Sequence, residues 1–249
     1  MSRFTLSLDP SPQLRQRYLK SLEEPQEFFL EEMVGFGEFW TNDDGSYGVT
    51  NGTSLVEFFS PEPENSTRLL RSLHDQHGFS TALVKSFDRA FVQSCQKLGW
   101  QGSVGGFLFR KREACTHITF NSAEISAAIP TDVEPLWEIN EDFFESQGEI
   151  AALASRDMLW TVKIVGEIVG CGVSNRFSED SDAVDIGMMV APGFRCRGLG
   201  THIVSEIANK IELAGLRPIC GCGASNIASK ATLEKAGFVS EHQLISFAV

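Results

Sequence analysis

Residues 185–200 read Asp-Ile-Gly-Met-Met-Val-Ala-Pro-Gly-Phe-Arg-Cys-Arg-Gly-Leu-Gly. The apolar run 183–190 leads through Pro192 and a glycine-bearing loop into residues 198–214. There Ile203, Ile207 and Ile211 recur every four residues, and Gly215 stops the pattern. The stretch predicts a buried strand, a tight loop and an amphipathic helix. A helix start leaves backbone N–H groups unpaired and carries partial positive charge. Glycines let a bulky anion come close to the backbone. Arg195 and Arg197 add two guanidinium groups, and Thr201 adds a hydroxyl in the first turn. This combination favours a phosphate; the plain alternative is a packed turn with solvated arginines. No lysine follows the second glycine as in GxxxxGK[ST], and GxGxxG is absent.

Outward from this segment, the second half reads as alternating elements. Strands are predicted at 116–127, 158–165, 168–173, 218–223 and 242–249. Helices are predicted at 131–144, with Thr131 and Glu134 at capping-box spacing, and at 227–236, stopped by Gly237. The strand pair 158–165 and 168–173 turns at Gly166-Glu167. This order implies an α/β class in which helices pack on a central mixed sheet. The first half reads as one helix over 11–34, a turn at Asn42–Gly45, a strand at 53–59, a helix at 65–77, a strand at 80–86, a helix at 89–98 and a strand at 101–110. Lys111-Arg112-Glu113 is the expected link between two domains, 1–115 and 116–249.

The chain has 249 residues and a net charge of −12, enough for one large or two small domains. An acidic surface repels phosphate backbones, which argues against nucleic acid as a partner. Residues 1–115 carry 15 acidic and 12 basic groups, residues 116–249 carry 18 and 9, so the second half is the acidic one. The six cysteines form no CxxC pair and the five histidines lie at no zinc spacing, so no metal is expected. No secretory or targeting segment and no membrane-length apolar run is visible, so reduced thiols and a cytoplasmic location are expected. The oligomeric state stays open, a homodimer included.

Val190-Ala191-Pro192 followed by Arg195-Cys196-Arg197-Gly198-Leu199-Gly200 resembles the [RQ]-x-x-G-x-[GA] coenzyme A loop of the GCN5-related N-acetyltransferases (GNAT). Asn226-x-x-Ser229, running through Leu233-Glu234-Lys235-Ala236 into Gly237-Phe238, is similar to that family's N-x-x-[AS]…E-K-x-G-F helix. Together the two motifs cover about residues 116–249. The resemblance implies a GNAT-like acyl-CoA N-acyltransferase fold, acetyl-CoA as co-substrate and an amine as acceptor. It also implies that the amides of residues 196–201 hold the pyrophosphate. The strand around Met188, Met189 and Val190 would align the pantetheine arm, with Asn226 and Ser229 along it. In this fold that strand splays from the one at 218–223, and the thioester lies in the V between them.

Acyl transfer to an amine needs a proton acceptor and a donor to the oxyanion. Asp185, on the strand beside the acyl site, is the candidate base, against the plain alternative of a solvated strand-end residue; a one-residue bulge would decide which face it takes. The position at which family members often carry a tyrosine acid is Leu233. Ser229 is the candidate for relaying a proton through water, against a first-turn hydroxyl. Cys220 and Cys222 share a strand face and read as packing; His202 reads as a surface residue. Seven carboxylates and no base lie between 132 and 149. As a functional feature they imply a cationic acceptor, and as a plain one a solvated helix face.

The first half repeats the order strand, helix, strand, helix, with Leu98-Gly99-Trp100 echoing Ala236-Gly237-Phe238. At the loop position it has Pro61-Glu62-Pro63-Glu64, whose carboxylates would repel a pyrophosphate. It is therefore read as a degenerate, tandem GNAT-like copy. Only eleven residues follow Phe238, one strand where the family has room for two, so the first half is expected to supply the missing edge. Three readings of function remain: an N-acetyltransferase acting on a small molecule, polyamine or peptide amino group, a non-catalytic acyl-CoA-binding or regulatory protein, and a nucleotide-phosphate binder.

Overall fold

The computed structural model describes residues 3–7, 11–113, 120, 122–176 and 181–249. In chain order the elements are β1 (Thr5–Ser7), α1 (Pro12–Ser21), α2 (Phe28–Gly35), β2 (Glu38–Thr41), β3 (Tyr47–Asn51), β4 (Ser54–Phe59), α3 (Ser66–His77), β5 (Thr81–Lys85), α4 (Arg89–Lys97), β6 (Gln101–Phe109) and β7 (Lys111–Arg112). There follow β8 (Ala123–Ala127), α5 (Val133–Glu138), α6 (Gln147–Ser155), β9 (Leu159–Ile164), β10 (Glu167–Asn175), β11 (Ala183–Val190), α7 (Leu199–Leu213), β12 (Arg217–Gly223), α8 (Ile227–Lys235), β13 (Phe238–Val239) and β14 (His242–Ala248). The mixed α/β class inferred from element order is the class found. The chain divides into two compact units, one of Met1–Leu108 with Gly223–Ser225 and Glu241–Val249, the other of Phe109–Cys222 with Asn226–Ser240.

In the N-terminal unit the strands run in the order β1-β2-β3-β4-β5-β14-β6. Leu55, Phe58, Leu69, Leu70, Leu73 and Phe91 form one apolar core. Tyr18, Val34, Tyr47, Val49 and Val56 form a second. The helix expected over 11–34 is two helices. Pro25 disfavours helical backbone at the residue before it, and Leu22 is already extended at the end of α1. The strand 242–249 forms as expected, but its place differs from the expectation that the first half would lend an edge. β14 is inserted into the N-terminal unit's sheet, antiparallel to both β5 and β6. The strip Lys111–Arg112 is likewise no free link, because it pairs with β13 and Arg112 bonds to Asn209, Glu212 and the Ala236 carbonyl.

In the C-terminal unit the order is β12-β11-β10-β9-β8. Helix α7 lies against one face of this sheet. A Cβ on Gly172 would come within 2.0 Å of Ile207 Cδ1, so glycine here leaves room for that side chain against the sheet. The opposite face carries α5 and α6 over a core of Leu136, Phe144, Ile150, Leu159, Cys171 and Met189. The helix expected over 131–144 ends at Glu138, and Asn140 caps the turn that follows by accepting from the Phe143 and Phe144 amides. Its start is fixed by Asp132, which accepts from the Ile129 amide, in place of the Thr131–Glu134 box. Helix α6 escaped the sequence reading. Of the strand expected over 116–127 only β8 is seen, and positions 116–119 and 121 lie outside the described residues, as does Cys115.

The β9–β10 hairpin turns one residue earlier than expected. Ile164 pairs with Glu167, and Val165 and Gly166 sit between them with φ of 52° and 82°. Both central residues being left-handed marks the hairpin turn that favours Asn-Gly. Val165, 96% exposed, gains no burial to offset a conformation that β-branched residues resist. Val165→Asn should therefore raise stability by about 1 kcal/mol, seen as a higher midpoint in urea unfolding; an unchanged or lower midpoint contradicts this account of the turn.

Candidate active site

The centre of the C-terminal unit is a break in a ladder. β11 and β12 are parallel and paired at Ala183↔Arg217, Val184↔Pro218 and Asp185↔Ile219. Among the described residues the pairing stops there, so Ile186–Val190 and Cys220–Cys222 run on unpaired to each other. β11 keeps its other partner throughout, in unbroken register with β10 from Asp185↔Asn175 to Val190↔Gly170. One edge of β11 therefore offers backbone N–H and C=O groups without a strand partner beyond Asp185, and such groups need another partner.

That register also settles the face of each side chain. Opposite residues in a ladder share a face, and Gly170 and Gly172 face α7. Met188 and Val190, their partners, face α7 as well. Met189, Gly187 and Asp185 alternate to the other side, the one covered by α5 and α6. No bulge intervenes. Met189 is buried in that core, and the ladder turns its backbone toward Cys171 of β10, so the open edge of β11 is that of Met188 and Val190. Asp185 is half-buried at the vertex where the strands part. Across the ladder from it stands Asn175, whose amide oxygen is buried and without a hydrogen-bond partner. Nothing in the sequence singled out Asn175; only the strand register brings it beside Asp185.

β11 ends in the turn Pro192–Phe194 and the loop that leads to α7. Cys196 has φ of 60° and Gly198, the residue before the helix, φ of 87°. Two left-handed residues in a short loop fold the backbone tightly, and the non-glycine one is held there at a cost. The first helical bond runs from the His202 amide to the Gly198 carbonyl. The amides of Leu199, Gly200 and Thr201 thus precede the helical ladder and have no partner within it. A Cβ on Gly200 would meet Thr232 at 3.2 Å and Met188 at 3.4 Å, so a glycine here lets the helix start pack onto α8 and β11.

Side chains of this loop divide by task. Arg195 donates to the Val190 carbonyl at 2.8 Å and to Glu141 at 2.6 Å, which ties the loop to the end of β11 and to the segment after α5. Arg197 is exposed, with its guanidinium 5.8 Å over the Phe194 ring. Cys196 is exposed, whereas Leu199 and Thr201 are buried, so Thr201 is placed to contribute its backbone amide rather than an open hydroxyl. His202, read from sequence as a surface residue, is 6% exposed.

At the start of α8, Asn226 caps the helix by accepting from the Ser229 amide at 3.0 Å. The Ser229 hydroxyl bonds the Cys222 thiol, so the two half-buried side chains face one another across the open end of β12. Burial raises the thiol pKa of Cys222 and raises that of Cys220 further, with the Asp185 charge adding to the effect on Cys220. A thiol held protonated is a poor nucleophile. Leu233, at the tyrosine position, is buried. Of the seven carboxylates between 132 and 149, Asp132 is buried and paired with Lys163 at 2.9 Å, Glu141 holds Arg195, and Glu149 accepts from the Glu145 amide. Glu134, Glu138, Asp142 and Glu145 are exposed. Among the described residues no group of three or more His, Cys, Asp or Glu could hold a metal ion, and no helix is long and apolar enough to cross a membrane.

Two parallel strands that part beside a helix start form the layout of an acyl-CoA-dependent acyltransferase. A model of the acetyltransferase (GNAT) family matches residues 123–238, and a second, a GNAT acetyltransferase domain, matches residues 7–112. The chain belongs to the GNAT acetyltransferase family and carries two of its domains in tandem. No curated protein matches the chain. Among solved structures, a GNAT-family acetyltransferase from Colwellia psychrerythraea is similar with a TM-score of 0.87 and 17% identity, over 100% of this chain and 99% of that one. A GCN5-related N-acetyltransferase from Sphaerobacter thermophilus has a TM-score of 0.62 and 13% identity, over 95% and 84%. A tandem GNAT protein from the clavulanic acid biosynthesis pathway has a TM-score of 0.63 and 12% identity, over 100% and 98%. At such identities these likenesses speak for the fold.

The Asn226 cap gives a direct check of the local geometry. Asn226→Ala should cost about 1 kcal/mol of stability, read as a lower thermal midpoint, while Asn226→Asp should retain most of it. Equal losses in both variants would contradict a capping role.

Proposed function

We propose that residues 116–249 move an acetyl group from acetyl-CoA to a primary amine and that residues 1–115 carry no transfer chemistry. The observation that carries this reading is the end of the β11–β12 ladder at Asp185↔Ile219, next to the left-handed turn at Cys196 and Gly198. The residues present suit acetyl-CoA. The amides of Cys196–Thr201 and the exposed Arg197 suit the diphosphate. The Met188 N–H and C=O and the Val190 N–H, on the edge of β11 that β12 leaves, suit the amides of the pantetheine arm, which can add there as a strand would. Arg195 serves by holding the loop, and Asn226 by placing α8.

In the reaction the amine loses a proton to Asp185 and its lone pair attacks the thioester carbonyl. A backbone N–H on the open edge of β11 meets the oxyanion. Collapse breaks the carbon–sulfur bond and releases the thiolate, whose pKa of ~8.5, by analogy with cysteine, asks for little acid help. Ser229, oriented by Cys222, returns a proton through water. Asn175 Oδ1 supplies an acceptor for an amine N–H beside Asp185. Glu134, Glu138, Asp142 and Glu145 lie on or just after α5, the helix that covers the face Asp185 takes, which favours a cationic acceptor such as a polyamine, a lysine or a peptide amino terminus.

A second reading, an acyl-CoA-binding protein without turnover, draws on Leu233 standing buried where a tyrosine acid would stand. Thiol release measured against a panel of amines separates the two. Saturable release with cationic amines supports transfer, and acetyl-CoA binding without release on any amine supports the second reading. Asp185→Asn should lower kcat by about 10²–10⁴-fold with the KM for acetyl-CoA little changed; full kcat in this variant rules Asp185 out as the base. Gly198→Val forces a β-branched residue into a left-handed position and should weaken acetyl-CoA binding by about 10–100-fold. Unaltered affinity in a folded Gly198→Val protein would remove the diphosphate from this loop.

A further inference from the structure

The two units repeat the same local plan, and the repeat can be aligned on their ladders. In the C-terminal unit the parallel pair ends at Asp185↔Ile219. In the N-terminal unit the parallel pair β4–β5 ends at Leu55↔Ala82. Two residues beyond Leu55 stands Glu57, and three beyond Ala82 stands Lys85. The same steps in the C-terminal unit reach Gly187 and Cys222. The next helix is capped in both, by Asp88 accepting from the Phe91 amide and by Asn226 accepting from the Ser229 amide. Where the C-terminal unit has glycine, cysteine and asparagine around its cleft, the N-terminal unit has a glutamate, a lysine and an aspartate.

These three charges are withdrawn from water. Glu57 and Lys85 are 0% exposed and Asp88 is 6% exposed. Isolated charges do not persist in such a site, and here each is met by the chain's own first helix and the segment behind it. Lys85 donates to the Tyr18 hydroxyl at 2.6 Å and to Gln26 Oε1. Tyr18 in turn donates its hydroxyl to Asp88 at 2.8 Å. Glu57 accepts from Arg15 at 2.8 and 3.2 Å, from Gln26 at 3.0 Å and from Tyr47 at 3.0 Å. Arg15 is also paired with Glu31. Arg15 and Tyr18 lie on α1 and Gln26 just before α2, so this part of the chain lies over the parted ends of β4 and β5. At the loop that precedes α3, Glu62 accepts from the Asn65 side chain at 2.5 Å, and no arginine stands between β4 and α3.

We infer that α1 and the stretch to Gln26 fill the N-terminal cleft where an acyl-CoA arm would lie, sealing it with a buried network of charges, so that the chain binds one acyl-CoA and binds it in the C-terminal unit. The location of that single site rests on the function proposed above; the closure of the N-terminal cleft rests on the network alone. A thioester arm could enter between β4 and β5 only by breaking the Lys85–Tyr18–Asp88 and Glu57–Arg15 contacts together, which would leave several buried charges without partners.

Titration calorimetry of the full chain with acetyl-CoA, joined to hydrogen–deuterium exchange, tests this. One equivalent should bind, with slowed exchange at residues 196–201 and unchanged exchange at 58–66 and 83–87. Two equivalents, or protection at 58–66 or 83–87, would overturn the inference while leaving the C-terminal site standing. In Gly198→Val the single site should weaken by the same factor of about 10–100, with none left at wild-type affinity; a full-affinity site that persists there together with protection at 83–87 places coenzyme in the N-terminal cleft and refutes closure. A wild-type chain that binds no acetyl-CoA sinks the coenzyme reading of the C-terminal unit, and the stoichiometry of one with it.

Discussion

Everything at the candidate site follows from where one parallel ladder stops. As long as β11 and β12 exchange hydrogen bonds, each satisfies the other's backbone and nothing can come between them. Past Asp185 and Ile219 that exchange ends. A strand edge is then left with polar groups that must be met by something else, and an extended ligand rich in amides meets them well. The side chains around the opening matter because of this parting. Asp185 lies at its vertex, and the Cys222–Ser229 pair flanks the open end of β12.

The loop beyond β11 adds a second constraint. Its backbone takes two left-handed positions within three residues, at Cys196 and Gly198. Glycine accepts such a position freely and cysteine does not, so the conformation at Cys196 has to be imposed by its surroundings. Arg195 is the visible restraint, anchored at once to the Val190 carbonyl and to Glu141. A guanidinium that sequence reading assigns to a phosphate is, in the structure, engaged in keeping the loop shaped, while that of Arg197 lies over the Phe194 ring.

The C-terminal fold was largely legible because its signals are local. The four-residue spacing of Ile203, Ile207 and Ile211 and the glycine stops at Gly215 and Gly237 are readable without knowing what packs where. The misreadings have equally local causes. Pro25 splits a helix whose apolar stripe runs on past it, and the hairpin turns at Val165-Gly166 because register, not glycine position alone, sets the loop. What sequence could not show are pairings made across long separations. Lys85 meets Tyr18 and Gln26 from about sixty residues away, and even Asn175, ten residues from Asp185, is placed beside it only by the ladder. A charged residue in a strand reads as solvated until the partners that bury it are known.

The placement of β14 bears on how the chain is made. Leu244 pairs with Lys85 and Phe247 with Ala82, while the other edge of the same strand pairs with β6. The N-terminal sheet therefore lacks an interior strand until residues 242–248 have been synthesised. Until then β5 and β6 each present a bare edge, the kind of surface on which nascent chains associate wrongly. Closing so distant a pairing is intrinsically slow. The translation order of this protein is thus the reverse of its order of completion, and the half written first is the half that must wait.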